Sequence, residues 1–198
     1  MKTKLYVPVL GFTLFLLFGC NSSGTISEEM EKYELTDLGH GSYLAQLRDA
    51  DGNVIEEGYF DAGKRHGSWL KLNPSEGYIT ALQNYYKGYQ QGVSLLMDDR
   101  LQIIERANYA GGKLDGYAAK YRNGRVKLES NYKNGQFHGR VTKYHERGRN
   151  KILSESDYRE GVQHGIYRYY DDKGNITLDY QYENGEKVTG GIVEPKKE

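Results

Sequence analysis

Cysteine and histidine are the residues here with the most chemistry to offer, and their spacing sorts them quickly. Cys20 is the only cysteine in 198 residues, so no intramolecular disulfide can form. His145-Glu146 stands without the second histidine that a zinc-protease helix needs. Gly39-His40-Gly41 runs on into Ser42-Tyr43-Leu44 rather than to a third glycine, so no dinucleotide loop is present. His138 and His164 each precede a glycine, and their imidazoles could meet at a sheet edge. A zinc site would still lack a visible third ligand. No nucleophile is paired with a base. The expectation is a chain that is not an enzyme, with no catalytic residue, no metal site and no cofactor.

Cys20 needs another explanation, and the residues ahead of it supply one. Lys2 and Lys4 make a short positive start, and Leu5 to Phe18 form an apolar run. Spanning a bilayer takes roughly 20 residues, so this shorter run reads as an export signal. Leu17-Phe18-Gly19-Cys20 resembles the lipobox of bacterial lipoproteins. That resemblance implies a signal peptide over 1–19, cleavage after Gly19 and acylation of Cys20. Two or more acyl chains, at ~0.8 kcal/mol per buried methylene, would hold the chain stably on a membrane. Asn21 after the cysteine points to the outer membrane by analogy with enterobacterial sorting. The polar, partly acidic stretch over 20–37 reads as a flexible tether.

Without Lys2 and Lys4 the mature chain carries 25 basic against 27 acidic residues, interspersed along it. A dense basic face is absent from this pattern, which excludes nucleic acid as a partner.

A repeat decides the fold. Gly-x-x-x-Gly recurs as Gly63/Gly67, Gly88/Gly92, Gly112/Gly116, Gly135/Gly139 and Gly161/Gly165, with Gly185 opening a sixth unit. First glycines are 25, 24, 23, 26 and 24 residues apart. Three residues before each stands an aromatic: Phe60, Tyr85, Tyr109, Tyr132, Tyr158 and Tyr182. Six residues before that aromatic stands Val54, Ile79, Ile103, Val126, Ile152 or Ile176. Two earlier still are Gly52, Gly77, Leu101, Gly124, Asn150 and Gly174, of which all but Leu101 suit a left-handed turn.

One unit reads as a β-hairpin. Tyr117, Ala119 and Tyr121 alternate with Ala118, Lys120 and Arg122, Asn123-Gly124 is a preferred two-residue hairpin turn, and Val126 to Tyr132 alternate back. A lone hairpin is marginal in water, so stacking must give each strand a partner. At about 4.8 Å per strand, six units make a sheet roughly 55–60 Å long. The expected fold is all-β, a single elongated, curled antiparallel sheet over 38–189, with a disordered tail over 190–198. Leu38 to Leu47 would be its first strand. Bulges or longer loops are expected in the second unit, which lacks a turn glycine, and in the fourth, where the interval is 26.

Tyr-x-x-Gly-x-x-x-Gly, with His66, His138 and His164 before the second glycine, resembles the bacterial variant of the MORN repeat over about residues 41–187. The resemblance implies a curled scaffold, and proteins with this repeat are often labelled antitoxin-like. Most of the 19 tyrosines fall in columns that a thin sheet needs. Trp69, Tyr86, Tyr89, Tyr167 and Tyr169 fall outside the inward columns and are the candidates for an exposed binding face. The expectation is a membrane-anchored interaction scaffold whose partner is another envelope protein. The alternatives are an immunity or antitoxin-like protein and a glycan-binding lipoprotein.

Overall fold

The computed structural model describes residues 27–147 and 150–194. The signal at 1–19, Cys20, the first part of the tether and the tail from 195 lie outside them. The described chain is one antiparallel sheet of sixteen strands, not closed into a barrel. Fourteen strands follow one another across it without a crossover. They are Glu34–Gly39, Ser42–Arg48, Val54–Asp61, Lys64–Leu72, Ile79–Tyr86, Gly92–Met97 and Ile103–Ala110, followed by Lys113–Arg122, Arg125–Lys133, Gly139–Tyr144, Ile152–Arg159, Val162–Tyr170, Ile176–Glu183 and Glu186–Ile192. The short pieces Tyr89–Gln90 and Gln136–Phe137 pair alongside this path.

The first glycine of each pair and the column that includes Gly52 and Gly124 lie in the turns of this sheet, on two opposite edges, while the second glycine of each pair lies in a strand. On one edge, each first glycine and the residue before it take positive φ, as at Lys87 (50°) and Gly88 (88°). That geometry is a two-residue hairpin turn whose twist suits the strands. These turns are also stitched to one another. The Gly88 N–H donates to the Arg65 carbonyl (2.9 Å), and Gly112, Gly135, Gly161 and Gly185 donate one unit back in the same way. Lys64 lies over Gly88, 3.7 Å from where a Cβ would stand. The repeated glycine thus answers to a backbone conformation and to a close neighbour.

The opposite edge carries the longer loops. Asp49, Asp98 and Asp171 each close a loop by accepting backbone N–H groups through a carboxylate oxygen. All six residues of the other turn column take positive φ, including Leu101 at 59°. Leucine therefore occupies a glycine conformation in the second unit. Bulges do occur there and in the fourth unit, between Leu96 and Met97 and between Lys143 and Tyr144. They also occur between Leu47 and Arg48, Lys71 and Leu72, Val126 and Leu128, and Tyr169 and Tyr170. A bulge is part of the unit, and it increases local twist. The extra residues of the fourth interval sit in the loop that His145 N and Lys151 O close.

Both ends differ from expectation. The tether reading fails from residue 27 onward. Met30–Lys32 is a single 3-10 turn, Glu34–Gly39 is the first strand, and Met30 and Tyr33 are buried. Two apolar side chains seat this acidic segment on the sheet. The last strand continues through Gly190 and Gly191 to Ile192, because Tyr180, Asp179 and Leu178 pair with them in turn. The tail reading therefore fails for 190–192.

Candidate functional site

Residues paired across neighbouring strands share a face, so the registers sort the side chains. One face carries the aromatic column Phe60, Tyr85, Tyr109, Tyr132, Tyr158 and Tyr182. Its first units hold the only dense cluster of buried side chains among the described residues: Met30, Tyr33, Ala45, Phe60 and Trp69. Phe60 and Trp69 meet edge to face at 5.1 Å, and Tyr33 meets both. Trp69 fits because Gly58 has no side chain; a Cβ there would stand 2.2 Å from the indole.

The N-terminal segment is locked onto this cluster by charge. Arg65 donates to Glu29 (2.6 Å), to Glu56 (2.9 Å) and to the Tyr33 hydroxyl (2.7 Å), and Tyr33 donates to Glu56 (2.8 Å). The guanidinium also lies 4.0 Å from the Trp69 ring centre. Burial opposes the Glu56 charge, but the bonds from Arg65 and Tyr33 prevail and hold the carboxyl below its usual range. Burial, then the bond to Glu56, raises the Tyr33 phenol. Farther along the same face, Tyr132 stacks on Phe137 at 4.7 Å, and Phe137 packs at a tilt against Tyr158 at 5.3 Å. These rings spend their faces on one another.

The five aromatic candidates do not form one site. Trp69 is 1% exposed, a core residue rather than a surface one. Gly67 pairs with Tyr85, so Trp69, two residues on, lies on the face of the aromatic column, and the bulge between Lys71 and Leu72 leaves Leu72 and Ile79 on the other face. Tyr167 is half-buried and stacks on Tyr180 at 6.3 Å. Tyr169 shares that face and is partly exposed. Tyr86 and Tyr89 form a cross-strand pair at a turn tip and are the most exposed tyrosines among the described residues, at 53% and 63%. Tyr86 belongs to the opposite face, with Lys87 over its ring and His66 beside it.

The histidines belong to the turns. Gln91, Asp115 and His164 fill equivalent positions, and each accepts the backbone N–H of the next unit's turn: Gly111 (3.0 Å), Asn134 (3.0 Å) and Asn184 (3.4 Å). His66 and His138 hold the same column, with Nδ1 of each buried. Among the described residues, no three His, Cys, Asp or Glu side chains are placed to hold a metal.

The opposite face holds a row that the sequence reading passed over. Glu34, Gln46, Glu57, Leu70, Leu82, Leu95, Arg106, Ala119, Glu129, Thr142, Glu155, Arg168, Asp179 and Gly191 pair in unbroken succession, one per strand. In the later units tyrosines satisfy its carboxylates. Tyr117 and Tyr144 donate to Glu129, and Tyr170 donates to Glu155 (2.6 Å). Burial, then the Glu129 bond, pushes the Tyr144 phenol up to about 12. The position three before each column aromatic reads Glu57, Leu82, Arg106, Glu129, Glu155 and Asp179, which would have singled out Leu82. On the loop edge, a cleft of about 530 Å³ is lined by Arg122, Asn123, Arg125, Lys127, Glu146 and Arg147, with Arg122 paired to Glu146. Comparison of the chain with models of protein families and with curated proteins found no match for it.

Proposed function

We propose that this protein is a lipid-anchored envelope lipoprotein whose repeat sheet is a non-catalytic scaffold for binding another protein. The observation that carries the reading is the open sheet itself. It is unclosed, it offers two broad faces, and it presents Tyr86 and Tyr89 at a turn tip where nothing in the fold requires exposed rings. Exposed aromatics of this kind favour protein contacts. The placement of the N-terminal segment supports the anchor. Ser27 donates its hydroxyl to the Gly63 carbonyl (3.2 Å), so the chain reaches the sheet at the turn edge, seven residues after Cys20. Seven residues span at most roughly 25 Å, which would hold the sheet close to the bilayer.

The stacked rings along the aromatic column weigh against the glycan reading, because sugars stack on free ring faces. A pull-down from detergent-solubilised envelope tests the scaffold. The wild-type chain should retain a protein that Tyr86→Ser/Tyr89→Ser loses. Equal retention by both would contradict the assigned surface, and the capture of glycan alone would contradict the scaffold.

A further inference from the structure

We infer that the Leu82 face pairs with the same face of a second copy of this chain, as a two-fold dimer centred on Leu82. The row described above carries the argument. Three leucines, Leu70, Leu82 and Leu95, stand side by side in a row otherwise made of polar or small residues. Each is half-buried, so the leucines form an apolar stripe rimmed by polar groups that stays partly open to solvent, as protein interfaces do. The charges of the row then say what covers it. Glu34 pairs with Arg48, Glu155 with Arg140, and Arg168 with Asp179, while Glu129 takes two tyrosine hydroxyls.

Two charges remain. Glu57 receives the Gln46 amide (2.6 Å) and Arg106 lies over the Tyr117 ring (5.3 Å), and among the described residues neither has an ion-pair partner. They have opposite sign, and each stands two strands from Leu82, on either side of it. A two-fold axis parallel to the strands, passing over Leu82, reverses the row of the second copy. Glu57 then faces the second copy's Arg106, Leu70 faces its Leu95, and Leu82 faces its own counterpart. An isologous interface requires this self-complementarity. An axis along the row would instead set Glu57 against Glu57 and Arg106 against Arg106.

The strand-parallel axis keeps both turn edges on one side of the dimer. Both Ser27 residues therefore leave in the same direction, as two anchors in one bilayer would need. That last point rests on the lipid anchor; the dimer itself does not.

Sedimentation equilibrium of the full chain in density-matched detergent tests the pairing. The wild-type chain should sediment as a dimer. Glu57→Arg and Arg106→Glu should each weaken dimerisation by about tenfold or more, because like charges then face each other. The double variant Glu57→Arg/Arg106→Glu should restore it, with circular dichroism confirming the fold of each. Leu82→Lys should give a folded monomer. A monomeric wild-type chain, a Glu57→Arg variant that dimerises normally, or a double variant that stays monomeric would each overturn the inference.

Discussion

Single residues bear unequal weight in this sheet because its buried cluster is confined to one end. Gly58→Ala would drive a methyl group into the Trp69 ring, a clash no small shift relieves. Overpacking of this kind costs about 1–3 kcal/mol. The sole tryptophan reports it, so the variant should lose stability and shift its fluorescence to the red. Leu101→Gly should do the opposite. Leucine held at φ 59° bears a left-handed strain of about 1 kcal/mol, and its side chain is exposed. A higher urea midpoint at unchanged slope is the expected result.

The tyrosines give the protein an alkaline limit. Burial and hydrogen bonds to carboxylates raise Tyr33, Tyr117, Tyr144 and Tyr170, with Tyr144 at about 12. A phenol raised in the folded state contributes stability that is complete below its ordinary value near 10 and is lost above it. Glu56 is lowered, so its share is complete above the ordinary carboxylate value of about 4.3 and is lost as pH falls below that. Thermal midpoints measured against pH should hold between these limits and fall beyond both.

At the scale of the hairpin unit, each strand touches its two neighbours, so damage should stay local. Tyr132 stacks on Phe137 in a central unit, whereas Tyr182 stands in the next-to-last strand. Truncating a buried aromatic costs roughly 3–5 kcal/mol, less for half-buried rings such as these. Tyr132→Ala should therefore lower the denaturation midpoint clearly more than Tyr182→Ala does, and equal losses would mean one cooperative core. The unit was legible in the sequence because its turns demand particular residues. Gly88 answers to positive φ, and Ile79 and Tyr85 recur at fixed offsets from it. What escaped reading depends on register. The bulge between Lys71 and Leu72 puts Leu72 and Ile79 on the face opposite Tyr85, so Trp69, three residues from Leu72, is core rather than surface, and no residue type announces it. Met30 and Tyr33 were hidden by the glutamates around them, since composition cannot show which two side chains find a pocket. The Leu82 row needed the columns to be read across units as well as along the chain.

At the scale of the whole molecule, the fold is asymmetric from end to end. The first units are capped by Ser27–Tyr33, bonded through Arg65, while the last strand, Glu186–Ile192, leaves Val188 and Ile192 exposed. A repeat array needs its ends protected, and here the described chain visibly protects the first. The cap fixes Ser27 to the sheet, seven residues after Cys20, where the proposed anchor would attach. Replacing Arg65 by Met would leave Glu56 buried without its cation, a loss of about 3–5 kcal/mol for a fully buried pair. This one is nearly so, with side chains 12% and 11% exposed. The cap should open, and proteolysis near residue 33 should follow. The anchor itself is tested most directly by the intact mass of the protein taken from its own membranes. A chain beginning at Cys20 and heavier by two or more acyl chains is the predicted result. A chain that retains its first 19 residues, or begins at Cys20 without added lipid, would contradict the account.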